Sequence, residues 1–182
     1  MYSVLPLRAS AVQDRSNEQR MRVLVDEHLD AVVRTLAKLG VLNGALDDAA
    51  QQVFVIATSK LDGIERGRER PYLLGIALRV ASHARRTVQR RRESPIEDEL
   101  SMPHAGPLPD QLLDERRAYA LLESIVAELP DGTREAFVLF EIEELSANEV
   151  AELLDIPVGT VASRVRRARE QVRQGILRAR KA

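Results

Sequence analysis

Apolar residues along the 182-residue chain recur at helical intervals, and the breaks between recurrences carry Gly, Pro or dense charge. From Met21 the positions Leu29, Val32, Val33, Leu36 and Leu39 predict a first helix that Gly40 can stop. Ala49, Ala50, Val53, Phe54 and Ala57 predict a second, opening at Asp47 and Asp48, where acids complement a helix N-terminus. Lys60 to Arg70 (KLDGIERGRER) breaks the pattern, and Pro71 suits the first position of a third helix. On that helix Leu73, Ile76, Ala77, Val80, Ala81 and Ala84 form one stripe, with Arg79, Arg86 and Arg90 off it. The stretch 94–110 holds Pro95, Pro103, Pro107 and Pro109 without steady periodicity and predicts a linker. Helicity resumes at Leu112, with Leu122, Ile125, Val126 and Leu129 apolar. It halts at Leu129-Pro130-Asp131-Gly132 and returns from Thr133 to about Glu144. Strand-like alternation of useful length is missing. The expected fold is therefore all-α: two small helical domains at 21–92 and 116–182, joined by a flexible linker at 93–115. Residues 1–20, polar and aperiodic, predict a flexible arm or a frayed first helix.

The segment from Leu145 to Arg173, LSANEVAELLDIPVGTVASRVRRAREQVR, is the most specific in the chain. Ser146 followed by Glu149 is a capping-box pattern, so a helix starts there with Val150, Leu153 and Leu154 on its apolar face. Pro157 disfavours helical geometry at Ile156 and ends that helix near Asp155. A second helix opens at Pro157 or Val158 and buries Val161, Val165, Ala168 and Val172. Its free face carries Thr160, Ser163, Arg164, Arg166, Arg167 and Arg169. Two short helices joined by a tight turn, the second basic on its free face, match a helix that enters a DNA major groove by its N-terminal residues. A plain αα-hairpin kept soluble by arginine is the competing account.

Charge sharpens this picture by its distribution. The 27 Lys and Arg nearly cancel the 28 Asp and Glu, for a net charge of -1. Along the chain, however, Arg79 to Arg92 holds six Arg and no acid, while 93–115 holds seven acids and no base. Glu123 to Asp155 then carries ten acids against Arg134 alone, and Val158 to Ala182 eight bases against Glu170 alone. Two basic helical segments separated by acidic ones suit a polyanion touched at two places. Other chemistry is thinly represented. With no Cys, disulfides, thiolate metal sites and cysteine nucleophiles are excluded, which favours a reducing cytoplasm. His28, His83 and His104 are scattered, and no metal or other cofactor is expected. The carboxylate pairs Asp47-Asp48 and Glu143-Glu144 come without a base, a metal set or a phosphate loop, so no catalytic residue is assigned. The longest uncharged stretch, Ala49 to Ser59, is too short to span a membrane, and the first ten residues show no secretion signal.

With these residues in view, the C-terminal half resembles region four of bacterial RNA polymerase sigma factors of the extracytoplasmic-function (ECF) type. The run LPDGTREAFVLFEIEELSANEVAELLDIPVGTVASRVRRAREQVR carries the likeness through Leu129-Pro130, Ala136-Phe137, the Leu145-Ser146 cap and Val158-Gly159-Thr160-Val161 with Ser163-Arg164. The N-terminal half resembles region two of the same family, in LDDAAQQVFVIATSKL (Leu46 to Leu61) and PYLLGIALRVASHARR (Pro71 to Arg86). The resemblance implies that Asp47, Asp48, Gln51, Gln52 and Phe54 bind the clamp helices of core RNA polymerase. It implies that Arg66, Arg68, Tyr72, Arg79, His83 and Arg86 hold the single-stranded minus-ten element, with Arg85 as a further phosphate contact, and that Thr160, Ser163, Arg164, Arg166 and Arg167 read the minus-thirty-five duplex. Promoter DNA, core polymerase and an anti-sigma factor are the partners it implies. The chain departs from the family pattern at Tyr72 (usually Trp), Leu74 (usually aromatic), Arg79 (usually Asn), Gln52 (often Glu), Ala162 (often Lys) and Asp155 (usually Gly). Asp tolerates left-handed geometry, so the turn at Asp155 is expected to survive. A helix-turn-helix regulator that binds duplex DNA without polymerase is the alternative function.

Overall fold

The computed structural model describes residues 6–93 and 110–179. The N-terminal half consists of α1 (Pro6–Lys38), α2 (Asn43–Thr58), a 3-10 turn (Leu61–Gly63) and α3 (Glu69–Glu93). The C-terminal half consists of α4 (Asp110–Ala127), α5 (Asp131–Phe137), a π-helical turn (Val138–Ile142), α6 (Ala147–Leu154) and α7 (Val158–Ala179). Strands are absent among the described residues, and none of the helices described is long and apolar enough to cross a membrane. The linker expected at 93–115 falls mostly on 94–109, outside the described residues, and its last residues, 110–115, belong to α4. Residues 6–20 are the first turns of α1, where the Arg20 guanidinium donates to the carbonyls of Leu61 (2.9 Å) and Ile64 (2.6 Å).

Gly40 stops α1 in the way its position suggests. It takes φ +88°, its N–H donates to Ala37 O, and the next N–H, of Val41, reaches back to Leu36 O, which together close the last carbonyls of the helix. Helix α2 starts a turn earlier than Asp47, at Asn43, so both acids lie inside it. Helices α1 to α3 pack on one another through Val32, Leu36, Leu39, Val53, Ala57, Leu73, Ala77 and Ala81, all inaccessible to solvent or nearly so. Leu29, expected on the apolar stripe of α1, is exposed.

The two halves share their cores. The cluster built on α1 to α3 continues into Ile125, Val126, Leu129, Phe137, Val138, Ala168 and Val172. A second cluster joins Ala136, Leu139, Leu145, Val150, Ala151, Val161 and Val165 to Leu74, its one buried member from the N-terminal half. The sole base of the acidic stretch, Arg134, has a structural use. Buried at the end of α4, it donates from Nε to Val126 O (3.1 Å), which also accepts the Leu129 N–H, and from Nη2 to Ala127 O and Leu129 O, beyond the helix's own hydrogen bonds. Burial holds its guanidinium below the ordinary arginine value.

Candidate nucleic-acid interface

The helix-turn-helix is assembled by local chemistry. Ser146 Oγ accepts the Glu149 N–H (3.3 Å) while the Ser146 N–H donates to Glu149 Oε2 (2.8 Å), the reciprocal capping box that fixes the start of α6. Hydrogen bonds from the Ser146 hydroxyl and N–H hold the Glu149 carboxyl below its ordinary value. At the other end Asp155 adopts φ 52°, ψ 51°, and the Ile156 N–H bonds to Ala151 O. It thereby repeats at the tight turn what Gly40 does at the end of α1. Helix α7 then buries Val161, Val165, Ala168 and Val172 against the body.

The opposite face of α7 is open. Ser163, Arg166 and Arg167 are exposed, and neither arginine makes an ion pair among the described residues. Ser163 donates its hydroxyl hydrogen to Thr160 O (2.9 Å), and Thr160 itself is half-buried. Arg164 is placed differently from its neighbours. It is half-buried over the start of α5, with Nη1 donating to Gly132 O at 3.4 Å, in a space that a Cβ on Gly132 would enter to within 2.8 Å of Nη1. Arg169 pairs with Glu141.

On α3 and its preceding loop, Arg66, Arg79, His83 and Arg86 are exposed and Tyr72 is half-buried. Arg68 is also at the surface but pairs with Glu152 of α6 at 2.8 Å. A cleft of about 270 Å³ runs between this loop and α6, with Ile64, Arg68 and Tyr72 on one wall and Glu149, Glu152 and Leu153 on the other. Arg85 turns inward: it donates to Leu39 O (2.6 Å) and pairs with Glu135 (2.9 Å). Those two bonds occupy a guanidinium that the sequence suggested for phosphate.

On α2, Asp47, Asp48, Gln51 and Gln52 all lie on the surface. Phe54 is core, 8% exposed, and so faces away from any partner. The apolar residues that α2 does offer are Val55, 62% exposed, and Ile56. Val53-Phe54-Val55-Ile56 is a run of four apolar residues, and because one face of a helix cannot bury four in succession, the run itself signals that some must point outward. A further surprise is Glu143. Its carboxylate, wholly inaccessible, is clasped by Arg34 through Nε and Nη2, each at 2.9 Å, and by Arg70 Nη2 at 2.9 Å. Those bonds raise the Arg34 guanidinium above its ordinary value.

The family model for Sigma-70, region 4, matches residues 119–172, the segment that contains α5 to the middle of α7. Over 151 residues, 82% of this chain, the sequence is 31% identical to the ECF RNA polymerase sigma factor SigE of Mycolicibacterium smegmatis, of which it spans 59%. Over 166 residues, 83% of this chain, it is 30% identical to the ECF RNA polymerase sigma factor SigW of Bacillus subtilis and spans 86% of that protein. Among solved structures, CnrH in complex with the cytosolic domain of CnrY superimposes with a TM-score of 0.65 at 27% identity, covering 94% of this chain and 97% of that one. The likeness extends over α1 to α3 as well as over the helix-turn-helix, which a stand-alone duplex-binding regulator would not require. With a capped helix-turn-helix at one end, a basic α3 at the other and relatives matched along both, the chain belongs to the ECF family of RNA polymerase sigma factors.

Proposed function

We propose that this protein binds core RNA polymerase and confers promoter-specific initiation, with no chemistry of its own. The observation that carries this reading is the pairing of two basic faces in one chain. The free face of α7 presents Ser163, Arg166 and Arg167 from a rigidly capped helix-turn-helix, and α3 with its loop presents Arg66, Arg79, His83 and Arg86. Arginine forks and hydroxyls at the start of a helix suit base edges and phosphates of duplex DNA, here the minus-thirty-five element. A basic groove beside a half-buried aromatic, Tyr72, suits single-stranded DNA, here the minus-ten element. Within the first set Arg164 supports the turn as well as the DNA face, and within the second Arg68 is available only when Glu152 releases it.

The outer face of α2, acidic at Asp47 and Asp48, amidic at Gln51 and Gln52 and apolar at Val55 and Ile56, is the proposed docking surface for the polymerase. Work beside the polymerase places the protein in the bacterial cytoplasm. An anti-sigma factor is the further partner that family membership implies. The test is run-off transcription by core polymerase from the source bacterium on a library of promoter fragments, with and without this protein. New, protein-dependent transcripts sharing two spaced motifs are expected. Their absence, together with palindromic footprints made by the protein alone, would refute the proposal.

A further inference from the structure

The Arg20 guanidinium reaches from α1 across 41 and 44 residues of sequence to the loop that joins α2 to α3, and grips it at two carbonyls, of Leu61 (2.9 Å) and Ile64 (2.6 Å). Leu61 O also accepts the Ile64 N–H, so the fork braces a 3-10 turn that already has its own hydrogen bond. Leu61 and Ile64 are buried, whereas Asp62, Gly63, Glu65, Arg66, Gly67 and Arg68 are exposed. The other shoulder of the loop is held as well. Gly67 takes φ +84°, a left-handed geometry in which its N–H donates to Glu69 Oε2 (2.5 Å). The second oxygen of that carboxylate lies 3.8 Å from Arg20 Nη2. Arg20 and Glu69 therefore meet at the base of the loop, each holding loop backbone on its own side.

An exposed loop with two glycines, Gly63 and Gly67, has many conformations open to it, and a ligand that needs one of them must bear the cost of ordering the rest. A guanidinium fork on main-chain carbonyls removes that freedom whatever the loop side chains are doing, because it binds backbone and has donors only. The loop so held carries Arg66 and Arg68, and Tyr72 follows it within the first turn of α3. We propose that Arg20, with Glu69, is a positioning residue for promoter opening: the pair holds residues 61–69 in the shape that presents Arg66 and Arg68 to the single-stranded minus-ten element, and Arg20 itself does not touch DNA. The inference rests on the reading of α3 and its loop as a single-strand face. It runs against charge alone at one residue. Removing Glu69, an acid beside a DNA face, should strengthen DNA binding by electrostatics, whereas loss of the clasp weakens it.

The test compares the full-length parent with Arg20→Met, Arg20→Lys and Glu69→Ala. A control, Arg22→Met, removes an exposed arginine of the same helix that pairs with Glu18. Hydrogen exchange of each free protein over 61–69 reads the loop, through the hydrogen-bonded amides of Gly63, Ile64, Gly67 and Arg68. Fluorescence of 2-aminopurine in the minus-ten element reads promoter opening by the holoenzyme, on a promoter identified by run-off transcription. A competition assay reads association with core polymerase, and circular dichroism confirms that each variant is folded. Should Arg20→Met lose helix, Arg20→Lys and Glu69→Ala carry the test. Faster exchange over 61–69 and about tenfold less opening are expected for Arg20→Met and Glu69→Ala, because apparent affinity scales with the fraction of loop in the competent shape. Their association with polymerase is expected to match the parent, as is everything measured for Arg22→Met. Arg20→Lys keeps the charge and can donate, without the fork, and should fall between parent and Met in both exchange and opening. Exchange unchanged by Arg20→Met and Glu69→Ala would overturn the clasp and leave the DNA reading intact. Faster exchange with unaltered opening would overturn the loop as part of the DNA face, and the positioning role with it. Full rescue of opening by Arg20→Lys without recovery of exchange, or increased opening with Glu69→Ala, would assign the effect to charge and overturn positioning.

Discussion

Replacing Arg134 by Met keeps an unbranched stem of similar length and removes the guanidinium that closes α4. The carbonyls of Val126, Ala127 and Leu129 then lose a donor, Val126 O keeping the Leu129 N–H, in a place where the side chain is only 11% exposed and water has little access. Hydrogen bonds from a charged donor contribute about 1.5–3 kcal/mol each, offset here by the cost of burying the guanidinium, which the lowered pKa of Arg134 records. The balance should be a loss of about 2–4 kcal/mol, below the roughly 3–5 kcal/mol seen when a full buried ion pair is broken, because the one carboxylate left behind, Asp131, is exposed and still paired with Arg85. For a chain of this size that corresponds to a fall in Tm of roughly 4–16 °C. Urea unfolding followed by circular dichroism would measure it, with Arg134→Lys as a companion that can still donate, though without the planar fork that spans three acceptors, and should fall between parent and Met. The consequence reaches DNA reading, since α5 follows this cap and packs against α7. A Met variant within about 0.5 kcal/mol of the parent would refute the cap, that being the range of an inconsequential surface change.

Other outcomes follow from the same structure. Arg166→Ala should weaken minus-thirty-five use by about 1–3 kcal/mol with unfolding unaltered, while Arg164→Ala should also lower stability, by up to about 1 kcal/mol, through its lost bond to Gly132; holoenzyme binding to duplex promoters and urea melts check both. Asp48→Arg and Val55→Glu should each reduce association with core polymerase, by roughly 1–2 kcal/mol in a competition assay, whereas Phe54→Leu should leave it unchanged because Phe54 faces the core. Ser146→Ala should cost about 1 kcal/mol at neutral pH. The folded Glu149 carboxyl lies below its unfolded value, so the capping box stabilises above the unfolded pKa of about 4.3 and its contribution is lost as pH falls through the folded value. Acid unfolding of Ser146→Ala should therefore show a shallower loss than the parent below that point.

What the sequence revealed and what it hid divide along a physical line. Features encoded within one or two helical turns were legible. Ser146 and Glu149 make the predicted box, Asp155 takes the left-handed turn, and Val161, Val165, Ala168 and Val172 form the buried stripe. Gly40 ends α1, though by a specific pair of hydrogen bonds that spacing alone does not dictate. Features that depend on contacts distant in sequence were not legible. Glu143 looks like surface charge beside Glu144, and only its meeting with Arg34 and Arg70, 109 and 73 residues away, makes it a buried, doubly paired carboxylate. Arg85 looks like one more base in a run of six, yet Leu39 and Glu135 hold it inward. Phe54, which the family resemblance offers as a polymerase contact, is buried while Val55 beside it is exposed, because a helix face is set by angle before residue type. The π-helical turn at Val138–Ile142, which directly precedes Glu143, has no signature in periodicity at all.

The claim that one chain reads promoter DNA at two separate places is tested most directly by photo-crosslinking from the chain itself. A photoreactive residue placed at Ser163 of α7 or at His83 of α3, in holoenzyme assembled on one promoter that the run-off assay identifies, would mark the bases each face touches. The structure predicts crosslinks from position 163 to the minus-thirty-five duplex and from position 83 to the single-stranded minus-ten element, with neither exchanging places. Crosslinks from both positions to one element, or from neither to DNA, would contradict the account.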